Sequence, residues 1–332
     1  MHNIGLRKKW SQAARALNVF WILALALSSL PTVCTHAQDT AAAAAGASPF
    51  AQSQGKVLRD IPYLERENLS PLEEKYCRLD LYLPLLPDSA SVAQSLPQKT
   101  TGFSSIVWFH GGGLKAGDKA STRDSENGRE SEICAQFAKA GFAILSANYR
   151  LSPKVQYPAY VEDAAAAFSW AKKHIADHGG DPSRVFLAGH SAGAYLALLL
   201  SMDPNYLSPH GLALESVAGT IAVSGQTMTH YTVREERGIS KHSIIADAAA
   251  PVFHIRRGLR PMLILFADKD MPGRAEENQY FAAIAQDAGN PDIRTFLAKN
   301  RNHGSIANRM SEPGDPTLEA ILAFVRKHNA SQ

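Results

Sequence analysis

Arg184-Val185-Phe186-Leu187-Ala188-Gly189-His190-Ser191-Ala192-Gly193 is the stretch on which the fold turns. Residues 184–188 form a short apolar run of the kind that makes a buried strand, and the apolar sequence from Ala192 reads as a helix. Between them lies G-x-S-x-G. A serine at so sharp a strand-to-helix turn leaves no room for side chains on its neighbours, which accounts for Gly189 and Gly193. The turn lifts the hydroxyl of Ser191 to the top of a sheet, at the N-terminus of the next helix. The pentapeptide alone is a weak signal. With a strand before it and a helix after it, Ser191 is the candidate nucleophile.

Outward from this turn, strand and helix patterns alternate. Strands are expected over 76–83, 105–109, 142–147, 217–223, 261–266 and 293–297. Helices are expected over 131–140, stopped by Gly141, and over 158–178, opened by Pro158 and ended by Gly179-Gly180. Two more are expected over 274–288 and 317–328. Strands separated by helices of this length imply crossover connections and a mainly parallel central sheet flanked by helices. The less regular stretch 226–257 is expected to be a small cap at the C-terminal edge of the sheet, where such sheets bind ligands.

His110-Gly111-Gly112-Gly113 also follows a buried strand. Glycines let a reacting carbonyl approach rigid backbone N–H groups, which can meet negative charge developing on its oxygen. Gly112 and Gly113, with the N–H of Ala192, are the expected donors. A phosphate loop would continue into Lys-Ser/Thr, and Gly113-Leu114-Lys115-Ala116 does not. His110 is read as holding this loop in place. A serine hydroxyl needs a base, and the base needs an orienting acid. With the chain order Ser, acid, His, Asp270 is preferred to Asp268 because it clears the end of its strand. His303, in Asn302-His303-Gly304, is preferred to His242 and His254, which both precede Asp270. Asp163 and Asn148-Tyr149-Arg150 are read as structural.

These motifs, together with the Asp181-Pro182-Ser183-Arg184 turn, resemble the α/β-hydrolase esterases. The resemblance spans about Val57 to Ala330. It is nearest to small bacterial carboxylesterases of the feruloyl-esterase-like and kynurenine-formamidase-like groups, with the hormone-sensitive-lipase-like esterases similar but more distant. It implies an α/β-hydrolase fold, acyl-enzyme chemistry on small carboxylic esters without cofactor or metal, a Ser191–Asp270–His303 triad, and Gly112, Gly113 and Ala192 as the oxyanion hole. The sequence departs from the group at Leu114, where many relatives carry an aromatic, and at Ala267-Asp268, where His-Gly is common. An arylformamidase-type amidase and a non-catalytic binding protein on a hydrolase fold are the alternatives; an intact triad set speaks against the latter.

The chain has 332 residues, 45% of them hydrophobic, and a net charge of +3. That suits one large α/β domain and offers no basic surface for nucleic acid. Its partner is expected to be a small-molecule ester, and the sequence leaves the oligomeric state open. Arg7, Lys8 and Lys9 precede an apolar run from Ala16 to Leu30, and Thr35-His36-Ala37 resembles a cleavage site. Residues 1–37 therefore read as an export signal, 38–55 as a low-complexity linker, and 56–332 as the catalytic domain, placed in the periplasm or outside the cell. The apolar run is shorter than the ~20 residues that span a bilayer comfortably; an uncleaved anchor is the alternative to cleavage. Cys34 follows Pro31-Thr32-Val33, which lacks the small residues lipid processing favours. Cys77 and Cys134 are read as small apolar core residues, with a disulfide as the alternative in an exported protein.

Overall fold

The computed structural model describes residues 56–85, 102–120 and 130–329. The proposed signal and linker lie outside the described residues. In chain order the strands are β1 (Val57–Pro62), β2 (Arg78–Tyr82), β3 (Phe103–Phe109), β4 (Ala143–Ala147), β5 (Gly180–His190), β6 (Thr220–Val223), β7 (Met262–Lys269) and β8 (Ile293–Asn302). The helices are α1 (Pro71–Tyr76), α2 (Glu130–Lys139), α3 (Ala159–His174), α4 (Ala192–Met202), α5 (Pro204–Leu207), α6 (Tyr231–Glu236), α7 (Arg274–Asp287), α8 (Ser305–Asn308) and α9 (Pro316–Asn329).

The strands form one sheet in the order β1-β2-β4-β3-β5-β6-β7-β8. β4, β3, β5, β6, β7 and β8 run parallel. β2 runs antiparallel to both of its neighbours, β1 at the edge and β4. Alternation along the strands explains why both faces are covered. On β3, Val107 and Phe109 pack with α3 and part of α4, whereas Ile106 and Trp108 pack with α2 and α9. On β7, Ile264 and Phe266 face α4 and α7, whereas Leu263 and Leu265 face the α9 side. α4 is buried along its whole length, because it is sandwiched between the sheet and its neighbours.

Several boundaries differ from the sequence reading. Tyr76 ends α1 rather than starting a strand. Ser70 caps that helix, its hydroxyl accepting from the Glu73 N–H while the Glu73 carboxylate accepts from the Ser70 N–H. This capping box was legible in Ser70-Pro71-Leu72-Glu73. β7 and β8 each run past the apolar segment. Their polar ends are held by Asp268, whose carboxylate accepts from the N–H groups of Asn300 and Arg301. Cys77 and Cys134 are buried on opposite faces of the sheet and form no disulfide with each other. Burial pushes the Cys77 thiol up to about 12, so it is an inert core group. No helix among the described residues is long and apolar enough to cross a membrane.

Candidate active site

Three parallel strands deliver the candidate triad to one edge of the sheet. β5 ends at His190, and Ser191 follows with φ 54° and ψ −114°. A non-glycine residue held there costs about 1–3 kcal/mol, offset by the packing of the buried helix that follows. Both flanking glycines are required sterically. A Cβ on Gly193 would stand 2.0 Å from the carbonyl oxygen of Phe109, and one on Gly189 would stand 2.4 Å from the carbonyl carbon of Gly193.

β7 ends one residue before Asp270, and β8 ends one residue before His303. The His303 ring spans the gap between them and the serine: Nε2 lies 2.9 Å from Ser191 Oγ and Nδ1 lies 2.6 Å from Asp270 Oδ1. The imidazole is therefore oriented with Nδ1–H donating to the carboxylate and Nε2 facing the hydroxyl. The Asp270 side chain is almost fully buried. Burial alone would raise its pKa. Hydrogen bonds from His303, from the hydroxyl of Ser224 (2.6 Å) and from the Met271 N–H (2.8 Å) outweigh burial and hold it at about 2.

The rival residues have other occupations. Asp268 links β7 to β8, as described above. The ring of His254 bonds the carbonyl of Ala248, and His242 lines a cavity in the 226–257 insertion.

The glycine strip lies beside the serine. A Cβ on Gly111 would stand 3.5 Å from the Ser191 Cβ. Gly112 and Gly113 take φ of 106° and 65°, which an L side chain resists. The carbonyl of Gly112 accepts from the N–H groups of Lys115 and Ala116, and that of Gly113 accepts from the hydroxyl of Thr232 at 2.6 Å. The N–H groups of Gly112, Gly113 and Ala192 donate to no acceptor among the described residues, which leaves them free for an incoming anion. His110 is buried behind the strip and stacks on Tyr149 at 4.4 Å between ring centroids. Its Nδ1 bonds the Gly111 carbonyl at 2.7 Å, and its own carbonyl accepts from the Tyr149 hydroxyl.

Asp163 accepts from the backbone and guanidinium of Arg150, and Asn148 ties the residues at 118–119 that follow the strip. Both sit in the scaffold under the site.

Two contributors escaped the sequence reading. Ser224 follows β6 directly, and the available signal was its position at the C-terminal edge of a parallel strand. His190, the variable residue of the pentapeptide, is buried and bonds the carbonyl of His303 through Nε2 at 2.8 Å. Burial, reinforced by the nearby His303, lowers its pKa to about 3, so it stays neutral and donates this hydrogen bond.

The chain's similarities agree with this architecture. Residues 94–229 match the BD-FAE family model. Esterase LipQ of Mycobacterium tuberculosis is 26% identical over 189 residues, covering 52% of this chain and 44% of LipQ. Lipase 2 of a Moraxella species is 35% identical over 110 residues, covering 33% of this chain and 24% of the lipase. The chain thus spans less than two thirds of the length of these relatives. Esterase 2 of Thermogutta terrifontis, solved phosphoramylated by tabun, superposes with a TM-score of 0.60 at 25% identity. That match covers 82% of this chain and 94% of the esterase. By its sheet, its strand-to-helix serine turn and these likenesses, the chain has the α/β-hydrolase fold.

Proposed function

We propose that this protein hydrolyses small carboxylic esters through an acyl-enzyme on Ser191. The observation that carries the reading is the Ser191–His303–Asp270 relay, at 2.9 and 2.6 Å, beside unpaired backbone donors. In this mechanism His303 Nε2 takes the proton as Ser191 Oγ attacks the ester carbonyl. The oxyanion is met by the N–H groups of Gly112, Gly113 and Ala192. The tetrahedral adduct collapses as His303 returns the proton to the departing alcohol. Water, deprotonated by the same imidazole, then attacks the acyl-enzyme and frees the acid. Asp270 stays ionised throughout and stabilises the imidazolium.

The relatives named as esterases support ester chemistry, and the short insertion at 226–257 favours small substrates over lipid. The residues at 1–37 support export to the periplasm or beyond, which N-terminal sequencing of the mature protein would test by a start at Gln38. For the chemistry, a fluorophosphonate probe should label the protein once. Ser191→Ala should lose both the label and turnover of short-chain esters. Equal labelling of Ser191→Ala would overturn the assignment, and faster turnover of long-chain emulsions would overturn the substrate size.

A further inference from the structure

A cavity of about 480 Å³ opens between the 226–257 insertion and the start of α7, lined by Gln226, Tyr231, Arg234, Lys241, Met271 and Arg274 among others. It reaches the proposed chemistry on two sides. Met271 is the residue after Asp270, and the Tyr231 hydroxyl lies where a Cβ on Gly113 would fall, 1.9 Å from it. Arg274 donates to the carbonyl of Ser224, the residue whose hydroxyl holds Asp270.

The lining is unbalanced in charge. Three cationic side chains face one acid, Glu277, in a chain whose total net charge is only +3. Glu277 is already occupied: Oε1 accepts from the N–H groups of Thr227 and Met228, and Oε2 lies 3.8 Å from Arg274. Among the described residues no carboxylate pairs with Arg234 or Lys241.

Arg234 is 5% exposed. Its two terminal nitrogens bond the carbonyls of Thr229 and Lys241, while its Nε has no partner. A buried guanidinium with an orphaned Nε and no paired carboxylate is costly; burial outweighs the attraction of the nearby Glu277 and Glu235 and lowers its pKa. An anion in the cavity would offset the excess positive charge of its lining.

We propose that this cavity is a substrate subsite for a carboxylate, so that the preferred ester carries a free carboxylate on its acyl or alcohol half. Arg234 and Lys241 are its specificity-determining residues. This rests on the esterase reading of the previous subsection.

The test compares isosteric pairs in a pH-stat assay: 4-acetoxybenzoate against 4-acetoxybenzamide for the alcohol half, and monoethyl glutarate against ethyl 4-carbamoylbutanoate for the acyl half. In at least one pair kcat/KM should favour the carboxylate by about tenfold, the scale of one charge-assisted hydrogen bond after desolvation. That ratio should shrink with added salt and fall towards unity in Lys241→Gln. The substitution keeps the backbone carbonyl that Arg234 uses, so it avoids the cap disruption that Arg234→Gln risks.

Calorimetry on Ser191→Ala provides a readout independent of turnover, in which the carboxylate member should bind about tenfold tighter than its amide. Neutral esters turned over as well as charged ones in both pairs would overturn the subsite and leave the esterase reading standing. Tighter carboxylate binding without any turnover or probe labelling would uphold the subsite and overturn the esterase reading. Equal binding of both members would overturn the subsite whatever the chemistry.

Discussion

Ser224 and His190 show how much of this site depends on residues that do not react. Ser224 presents its hydroxyl to Asp270 at 2.6 Å, on the oxygen that His303 does not use. Ser224→Ala leaves that oxygen with only the 3.2 Å contact from the Ala267 N–H. We expect kcat on a short ester to fall about tenfold, roughly the 1.4 kcal/mol of one lost hydrogen bond to a charged group. KM should change little. Asp270→Asn should be far more severe, with kcat down about 10⁴-fold, since an amide favours the wrong imidazole tautomer. If Asp270→Asn kept near-normal turnover, Asp268 would have to be reconsidered. Its carboxylate, however, is engaged by the β8 backbone.

At the scale of elements, the decisive contact is between α4 and the end of β3. Gly193 lets the helix approach so closely that a Cβ would stand 2.0 Å from the Phe109 oxygen and 2.7 Å from that of His110. Backbone cannot yield as a flexible side chain does. Gly193→Ala should therefore push α4 away from the strand that carries the glycine strip. We expect a loss of about 1–3 kcal/mol, seen as a lower Tm, with activity reduced further because the serine and its oxyanion donors are separated. An unchanged Tm would mean that the helix does not sit this close.

At the scale of the whole molecule, buried histidines set the response to acid. His110, His190 and His230 are buried, and burial, first among the causes in each case, lowers their pKa values, that of His190 to about 3. In the unfolded chain each titrates near 6.5. Below that pH the unfolded state gains protons that the folded state refuses, so stability is complete above about 6.5 and declines as pH falls towards 3. Asp270, held at about 2, adds stability that is present above its unfolded value near 3.9 and is lost only as pH falls towards 2. Thermal melts should therefore show a Tm that falls between pH 7 and pH 5, above the window in which Asp270 titrates. A flat Tm over that interval would contradict the burial of these rings.

What the sequence determined by itself was the set of elements and the candidate groups, because both are written in short-range patterns. Apolar runs punctuated by glycine and proline mark buried strands and helices, and Gly189-His190-Ser191-Ala192-Gly193 needs only its own neighbours to be recognised. Chain order then proposed Asp270 and His303. Only the tertiary structure decided what lies beyond local pattern. β2 runs antiparallel to β1 and β4, a matter of pairing between distant segments. Cys77 and Cys134 are separated by the sheet. Ser224 and His190 take their meaning from groups 46 and 113 residues away in the chain. Hydrogen bonds and desolvation act through space, and sequence spacing does not encode which polar groups will be left together in the dark of a folded core.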